Sequence, residues 1–169
     1  DGPEWLAVAC AQKRDASSTL GGTTDADGVI EIWKMLPGDI PRLQLVMEHE
    51  AGTPFHLAWR PSVPVDDSVV GTLAVSYSDA TVRLMDIPNL PENDVASSRV
   101  RATARTSLHV PGTACYSLAW GGPTRLAVGC SNGHVAIWEL NGNEEAPAPL
   151  VDAPLHDTLV SSLAWQMLP

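Results

Sequence analysis

Leu126-Ala127-Val128-Gly129-Cys130-Ser131-Asn132-Gly133-His134-Val135-Ala136-Ile137-Trp138-Glu139 aligns on Leu73 to Asp86, LAVSYSDATVRLMD, without a gap over fourteen positions. A third copy opens at Leu6 to Cys10 (LAVAC), is interrupted, and resumes at Ala26 to Lys34 (ADGVIEIWK). A second tripeptide alternates with the first: Leu57-Ala58-Trp59, Leu118-Ala119-Trp120 and Leu163-Ala164-Trp165. Self-similarity at a regular period marks a repeat architecture and is weighed before any single motif.

Each Leu-Ala-Val unit reads as a β-hairpin. A few apolar or small residues precede a tight turn, and an alternating strand follows. Asp27-Gly28 and Asn132-Gly133 predict type I′ turns, in which both central residues take positive φ, and Asp79-Ala80 is a weaker version. Val135 and Ile137 fall on one face and Ala136 and Trp138 on the other, so the strand is expected to be covered on both sides. Each Leu-Ala-Trp unit is one further strand: Phe55 to Arg60, Cys115 to Trp120 and Val160 to Trp165. A short strand precedes each, at Leu43 to Met47, Ala104 to Leu108 and Pro149 to Ala153. The interruption from Ala11 to Asp25, rich in Ser, Thr, Gly and charge, reads as a solvated loop at a hairpin tip. Fourteen Pro and thirteen Gly spread through the chain suit turn after turn.

Four-stranded units of about 45 residues, apolar on both faces, are expected to stack radially as blades of a β-propeller. The residues that carry a family resemblance sit at fixed places in the units. Ile32-Trp33-Lys34, Leu84-Met85-Asp86 and Ile137-Trp138-Glu139 stand where WD repeats carry Trp-Asp. The acid survives only at Asp86, and Met85 replaces a Trp. Asp27 and Asp79 match the family's turn Asp, with Asn132 in the third unit. His49, His109 and His156 match its His, without the preceding Gly, and Trp59, Trp120 and Trp165 follow in the next strands. The chain thus resembles a divergent WD-repeat protein. The resemblance implies an all-β, WD40-type β-propeller. It also implies structural histidines paired with turn residues, His49 with Asp79 and His109 with Asn132, the second weaker because Asn carries no charge.

The expected organisation is one partial propeller over 1–169, about three blades of a larger, seven-bladed one. Residues 1–49 form a blade lacking its first strand, with the inserted loop 11–25. Residues 50–109 and 110–154 form two further blades, and 155–169 give the first strand of the next. The chain starts and stops inside a unit and has no Met at position 1, which reads as a fragment.

The formal charge is −10, from 20 acidic and 10 basic residues. Binding to a phosphate backbone needs clustered Lys and Arg. Only Arg99, Arg101 and Arg105 cluster, and a solvated loop is the reading there. No apolar run approaches the ~20 residues of a membrane span. Cys10, Cys115 and Cys130 are odd in number, which favours a reducing compartment and three buried small residues.

Gly129-Cys130-Ser131-Asn132-Gly133 fits the G-x-S-x-G nucleophile elbow, but that elbow needs a helix after the Ser, and HVAIWEL reads as a strand. The five histidines show no metal spacing, and no phosphate-binding Gly loop and no CxxC is present. No catalytic, cofactor or metal residue is assigned. The acidic pairs Asp66-Asp67 and Glu144-Glu145 read as solvated loops that would suit a basic partner. Specific surfaces are expected in the inserted loops: Ala11 to Asp25, Pro61 to Val70, Pro88 to Ala102 and Asn141 to Pro147.

Longer stretches carry a narrower resemblance. GTLAVSYSDATVRLMDIP (Gly71 to Pro88), RLAVGCSNGHVAIWEL (Arg125 to Leu140), His156-Asp157-Thr158 ahead of VSSLAW, and GVIEIWKM ahead of HLAWRP resemble the WD-repeat subunit of general transcription factor IIIC, which serves RNA polymerase III. The resemblance implies a non-enzymatic nuclear scaffold that joins other protein subunits of a complex and contacts DNA through them. It implies no cofactor, membrane or small-molecule substrate. A WD scaffold of another assembly, in trafficking, chromatin or ubiquitin-ligase recruitment, is the alternative function and the cytoplasm the alternative location, and a hydrolase using Ser131 is the remote alternative.

Overall fold

All regular structure among the described residues (3–11, 28–61, 67–91, 99–141 and 147–166 of this computed structural model) is β-strand. The chain divides into two units, Asp1–Thr53 with Leu90–Ala102, and Pro54–Asn89 with Thr103–Pro169.

The first unit is one sheet of β1 (Glu4–Ala11), β2 (Gly28–Met35), β3 (Arg42–His49) and β7 (Arg99–Arg101), in that spatial order. The first three strands are antiparallel neighbours, with Leu6 opposite Trp33 and Ile32 opposite Leu45. Ile30, Ile32, Leu45 and Met47 are buried at every second position of their strands, the period at which successive side chains change face. Gly28 is an extended residue of β2, not half of a type I′ turn. A Cβ there would lie 2.8 Å from the Cys10 carbonyl oxygen and 3.0 Å from the His49 ring, so close approach, not turn conformation, requires the glycine. The chain between β1 and β2, with the loop expected over 11–25 and the turn residue Asp27, lies outside the described residues beyond Ala11.

The second unit holds two sheets. One is β4 (Pro54–Trp59), β5 (Val69–Tyr77), β6 (Thr81–Pro88) and β8 (Thr106–His109). The other is β9 (Cys115–Gly121), β10 (Arg125–Cys130), β11 (His134–Glu139) and β12 (Val151–Pro154). All pairings in both are antiparallel. The two tripeptides face each other within each sheet: Leu57, Ala58 and Trp59 lie opposite Val75, Ala74 and Leu73. Leu118, Ala119 and Trp120 lie opposite Val128, Ala127 and Leu126. On the other side of the Leu-Ala-Val strand, Leu73 faces Met85 and Leu126 faces Trp138, as Leu6 faces Trp33 in the first unit.

A shared core of this unit includes Ala74, Val82, Leu84 and Leu108 from one sheet with Leu118, Leu126, Val128 and Trp138 from the other. Each fully buried Leu or Val contributes about 1.5–3 kcal/mol relative to exposure. Directional contacts then fix how the strands lie. The Trp120 indole N–H donates to the Ala58 carbonyl at 3.1 Å, and the Trp165 indole N–H donates to the Ala119 carbonyl at 3.0 Å. The same repeat position thus reaches back to the same position one repeat earlier. Phe55 and Tyr116, at equivalent places in β4 and β9, stack with centroids 4.3 Å apart.

Three expectations change. The hairpins 78–80 and 131–133 are three-residue loops with a single left-handed residue, Ala80 (φ 69°) or Gly133 (φ 85°), so they are not type I′. A type I turn closed by one left-handed residue is the common three-residue solution, and Asn-Gly suits it equally. Val160 to Trp165, expected as a strand, has no ladder partner among the described residues and is irregular. It is held instead by Val160 N–H on the Cys130 carbonyl at 3.1 Å and by Ser117 Oγ on the Val160 carbonyl at 2.9 Å. Cys10 is exposed, whereas Cys115 and Cys130 are buried within the shared core of the second unit.

Candidate interaction surface

At the hairpin tips the matched turn residues act locally. Asp79 Oδ1 accepts from the Thr81 amide at 3.0 Å and from its hydroxyl at 2.6 Å, and Oδ2 pairs with Arg83 at 3.1 Å. Asn132 Oδ1 accepts from the His134 amide at 3.2 Å. A short acceptor bonding the amide two residues on is the Asx turn, which accounts for Asp or Asn at this place. His109 is exposed at the end of β8, opposite Thr81, and no hydrogen bond among the described residues joins it to Asn132. The pairing implied by resemblance is therefore absent there, and Asn132 is held by its own turn instead. His49 is buried against Gly28, and His156 is exposed just past β12. Of the matched tryptophans and their stand-in, Met85 and Trp138 are fully buried and Trp33 is half-buried. The Trp138 N–H donates to the Pro147 carbonyl at 3.1 Å, and that of Trp33 to Glu31 Oε2 at 3.1 Å. Asp86 accepts from Thr72 Oγ1 at 2.7 Å and pairs with Arg105 at 3.2 Å.

Ser131 stands in a strand-to-strand turn. Its hydroxyl shares a hydrogen bond with Thr113 Oγ1 at 2.9 Å and accepts from the Ala114 amide at 3.2 Å. A nucleophilic serine needs a base within hydrogen-bond reach, and neither of these groups is one. No group of three or more His, Cys, Asp or Glu able to hold a metal occurs among the described residues. No helix among them is long and apolar enough to cross a membrane.

The arginines set the electrostatics. Arg42, Arg83, Arg99, Arg101, Arg105 and Arg125 pair with Asp39, Asp79, Glu48, Glu50, Asp86 and Glu139 in turn. Arg60 instead clips two loops, donating to the Pro123 carbonyl at 2.5 Å and to the Leu140 carbonyl at 3.2 Å, with its guanidinium 5.6 Å from the Trp120 ring centroid. Burial and then the neighbouring Arg105 lower the Arg60 pKa, opposed by Asp86. Hydrogen bonds from Arg125 and then Thr124 hold the Glu139 carboxyl below its ordinary value. Every arginine among the described residues thus has a carboxylate or carbonyl partner.

The Arg99 and Arg101 pair corrects the loop reading of 88–102. Arg99–Arg101 is the strand β7, parallel to β3. Its arginines meet Glu48 and Glu50, fifty-one positions earlier in each case. The complementary signal was present as Glu-His-Glu against Arg-Val-Arg, both at period two, but only the fold reveals that they meet. Arg60 carried no signal beyond following a Leu-Ala-Trp unit. Most of the remaining inserted segments, with Asp66, Glu144 and Glu145, lie outside the described residues.

These sheets, their repeat register and their indole contacts define a partial WD-type β-propeller. Solved structures agree at the level of the fold. A chain of a humanised Chaetomium thermophilum Polycomb Repressive Complex 2 matches 83% of this chain with 29% of its own length (TM-score 0.58, 16% identity). The computationally designed Ika4 protein matches 84% with 71% of its own (TM-score 0.54, 19% identity). The WD40 domain of Toxoplasma gondii coronin matches 70% with 28% of its own (TM-score 0.51, 22% identity). No protein-family model matches the chain. In sequence it is similar to transcription factor tau subunit sfc6 of Schizosaccharomyces pombe, 27% identical over 166 residues and 95% of this chain. The chain spans 28% of that relative's length. The fold is thus of the WD-repeat type, and the sequence likeness to that tau subunit runs in the direction the strand motifs led one to expect.

Proposed function

We propose that this chain is a non-enzymatic interaction scaffold within a nuclear transcription factor serving RNA polymerase III. On this reading it joins protein subunits and leaves DNA contact to them. The observation that carries it is the likeness to the tau subunit along 95% of the chain. The engaged arginines support the indirect route to DNA, since a phosphate backbone must otherwise displace carboxylates already in place. On this reading each sheet serves as a blade of a propeller. Its rigid strands present variable connections at their ends, and those connections select partners.

Affinity purification of the full-length protein with mass spectrometry tests the reading. Co-recovery of RNA polymerase III transcription-factor subunits is expected. Recovery of coat or ubiquitin-ligase subunits in their place overturns it. Separate deletions of 11–25, 61–70, 88–102 and 141–147 are expected to remove at least one partner. Unchanged recovery of all partners in every deletion defeats the assignment of specificity to these connections.

A further inference from the structure

We propose that the outer edge of β3 is a docking edge for an extended basic strand of a partner protein, occupied in this chain by its own β7. The occupant shows the chemistry that fits. In register, Val46, Met47 and Glu48 lie beside Arg99, Val100 and Arg101. Arg99 reaches Glu48 at 2.9 Å and Arg101 pairs with Glu50, each one alternate residue beyond its register partner. A cavity of about 290 Å³ opens beside them, lined by Glu48, His49, Glu50 and Arg101. The matching outer strands β8 and β12 receive no added strand among the described residues, and neither offers two carboxylates at period two. What distinguishes β3 is therefore the pair Glu48 and Glu50.

The built-in occupant is weakly held. It covers three residues of an eight-residue strand, and no strand pairs with the outer edge of Arg42–Leu45 among the described residues. Parallel ladders are slightly less stable per residue than antiparallel ones. Both ion pairs are exposed and therefore screened by salt. A longer strand with Arg or Lys flanking an apolar residue competes with these three residues and displaces β7, the usual route of strand addition to a sheet edge. This holds whichever assembly the protein serves.

The test uses the whole chain and a fluorescein-labelled peptide alternating Arg and Val, with a Glu-Val peptide as control. Two variants open the edge by different means: R99E/R101E removes the ion pairs, and Val100→Pro removes a ladder donor without changing charge. Release of β7 is read as faster amide exchange at Val46–Glu48. Freeing a site blocked in cis raises apparent affinity in proportion to the competent fraction, so both variants are expected to bind the Arg-Val peptide at least about tenfold tighter than the parent. Adding Glu48→Gln and Glu50→Gln to Val100→Pro is expected to abolish that gain, and the Glu-Val peptide is expected not to bind. The proposal is overturned if Val100→Pro releases β7 without binding the peptide, or if it binds both peptides equally. It is also overturned if the opened chains satisfy the edge by forming dimers.

Discussion

Ala80 holds φ 69° at the place where Gly133 holds φ 85° in the next sheet. A Cβ in the left-handed region costs about 1–2 kcal/mol, partly offset because alanine restricts the unfolded chain more than glycine does. Ala80→Gly is therefore expected to stabilise by about 0.5–1 kcal/mol. Gly133→Ala has the opposite sign for two reasons: the conformation is strained, and the new Cβ would meet the His156 carbonyl oxygen at 1.8 Å. That backbone must move, and a loss of about 2–3 kcal/mol is expected. Urea midpoints at constant m-value measure both. The cysteines divide along the same residue-level logic. Cys115 and Cys130 are cross-strand neighbours whose thiols hydrogen-bond, which together with burial raises the Cys115 pKa, while Cys10 is exposed. Native alkylation with N-ethylmaleimide is expected to modify Cys10 alone, with the other two reacting only on unfolding. Comparable native labelling of Cys130 by peptide mass mapping disproves the burial argument.

At the level of elements, the repeated indole contacts separate packing from hydrogen bonding. Trp120→Phe keeps most of the ring but strands the Ala58 carbonyl, so about 1 kcal/mol is the expected loss. Trp138→Ala empties a fully buried site and is expected to cost about 3–5 kcal/mol. Thermal unfolding of the pair checks the ratio, and equal losses count against the hydrogen-bond account of Trp120→Phe. The elements themselves were legible where one pattern recurred. The Leu-Ala-Val strands and the first two Leu-Ala-Trp strands recur in phase, so they could be read before any coordinates, whereas the third copy, Leu163-Ala164-Trp165, joins no ladder among the described residues. Turn type was not legible, because Asn-Gly serves both the type I′ loop and the three-residue loop found. Nor was β7, since three residues carry no periodicity and their partner strand lies about fifty positions away. The Glu and Arg pairs that fix it looked like ordinary surface charge until the ladder brought them together.

For the whole molecule, charge decides what it can bind directly. The net charge is −10, and every arginine among the described residues already has a carboxylate or carbonyl partner. A protein that contacts DNA phosphates through Lys and Arg releases counterions, and its log affinity falls steeply with log salt. This chain has ten basic residues against twenty acidic ones to do so, and displacing Glu48, Glu50 or Asp86 from Arg99, Arg101 or Arg105 would leave those carboxylates facing the phosphates. The isolated chain is therefore expected to bind a DNA duplex no more tightly than about 10⁻⁴ M at physiological salt, with a salt slope near zero. Fluorescence anisotropy across a salt series measures both quantities. Neutralising Glu48 and Glu50 to Gln and Asp86 to Asn frees three arginines, and that variant is expected to acquire a slope of up to about −2 to −3, without preference for base sequence. A parent chain with a steep slope and a sequence preference would place DNA recognition in these blades themselves. A flat slope in the parent and a steep one in the variant show that the ion pairs keep these arginines from the phosphate backbone.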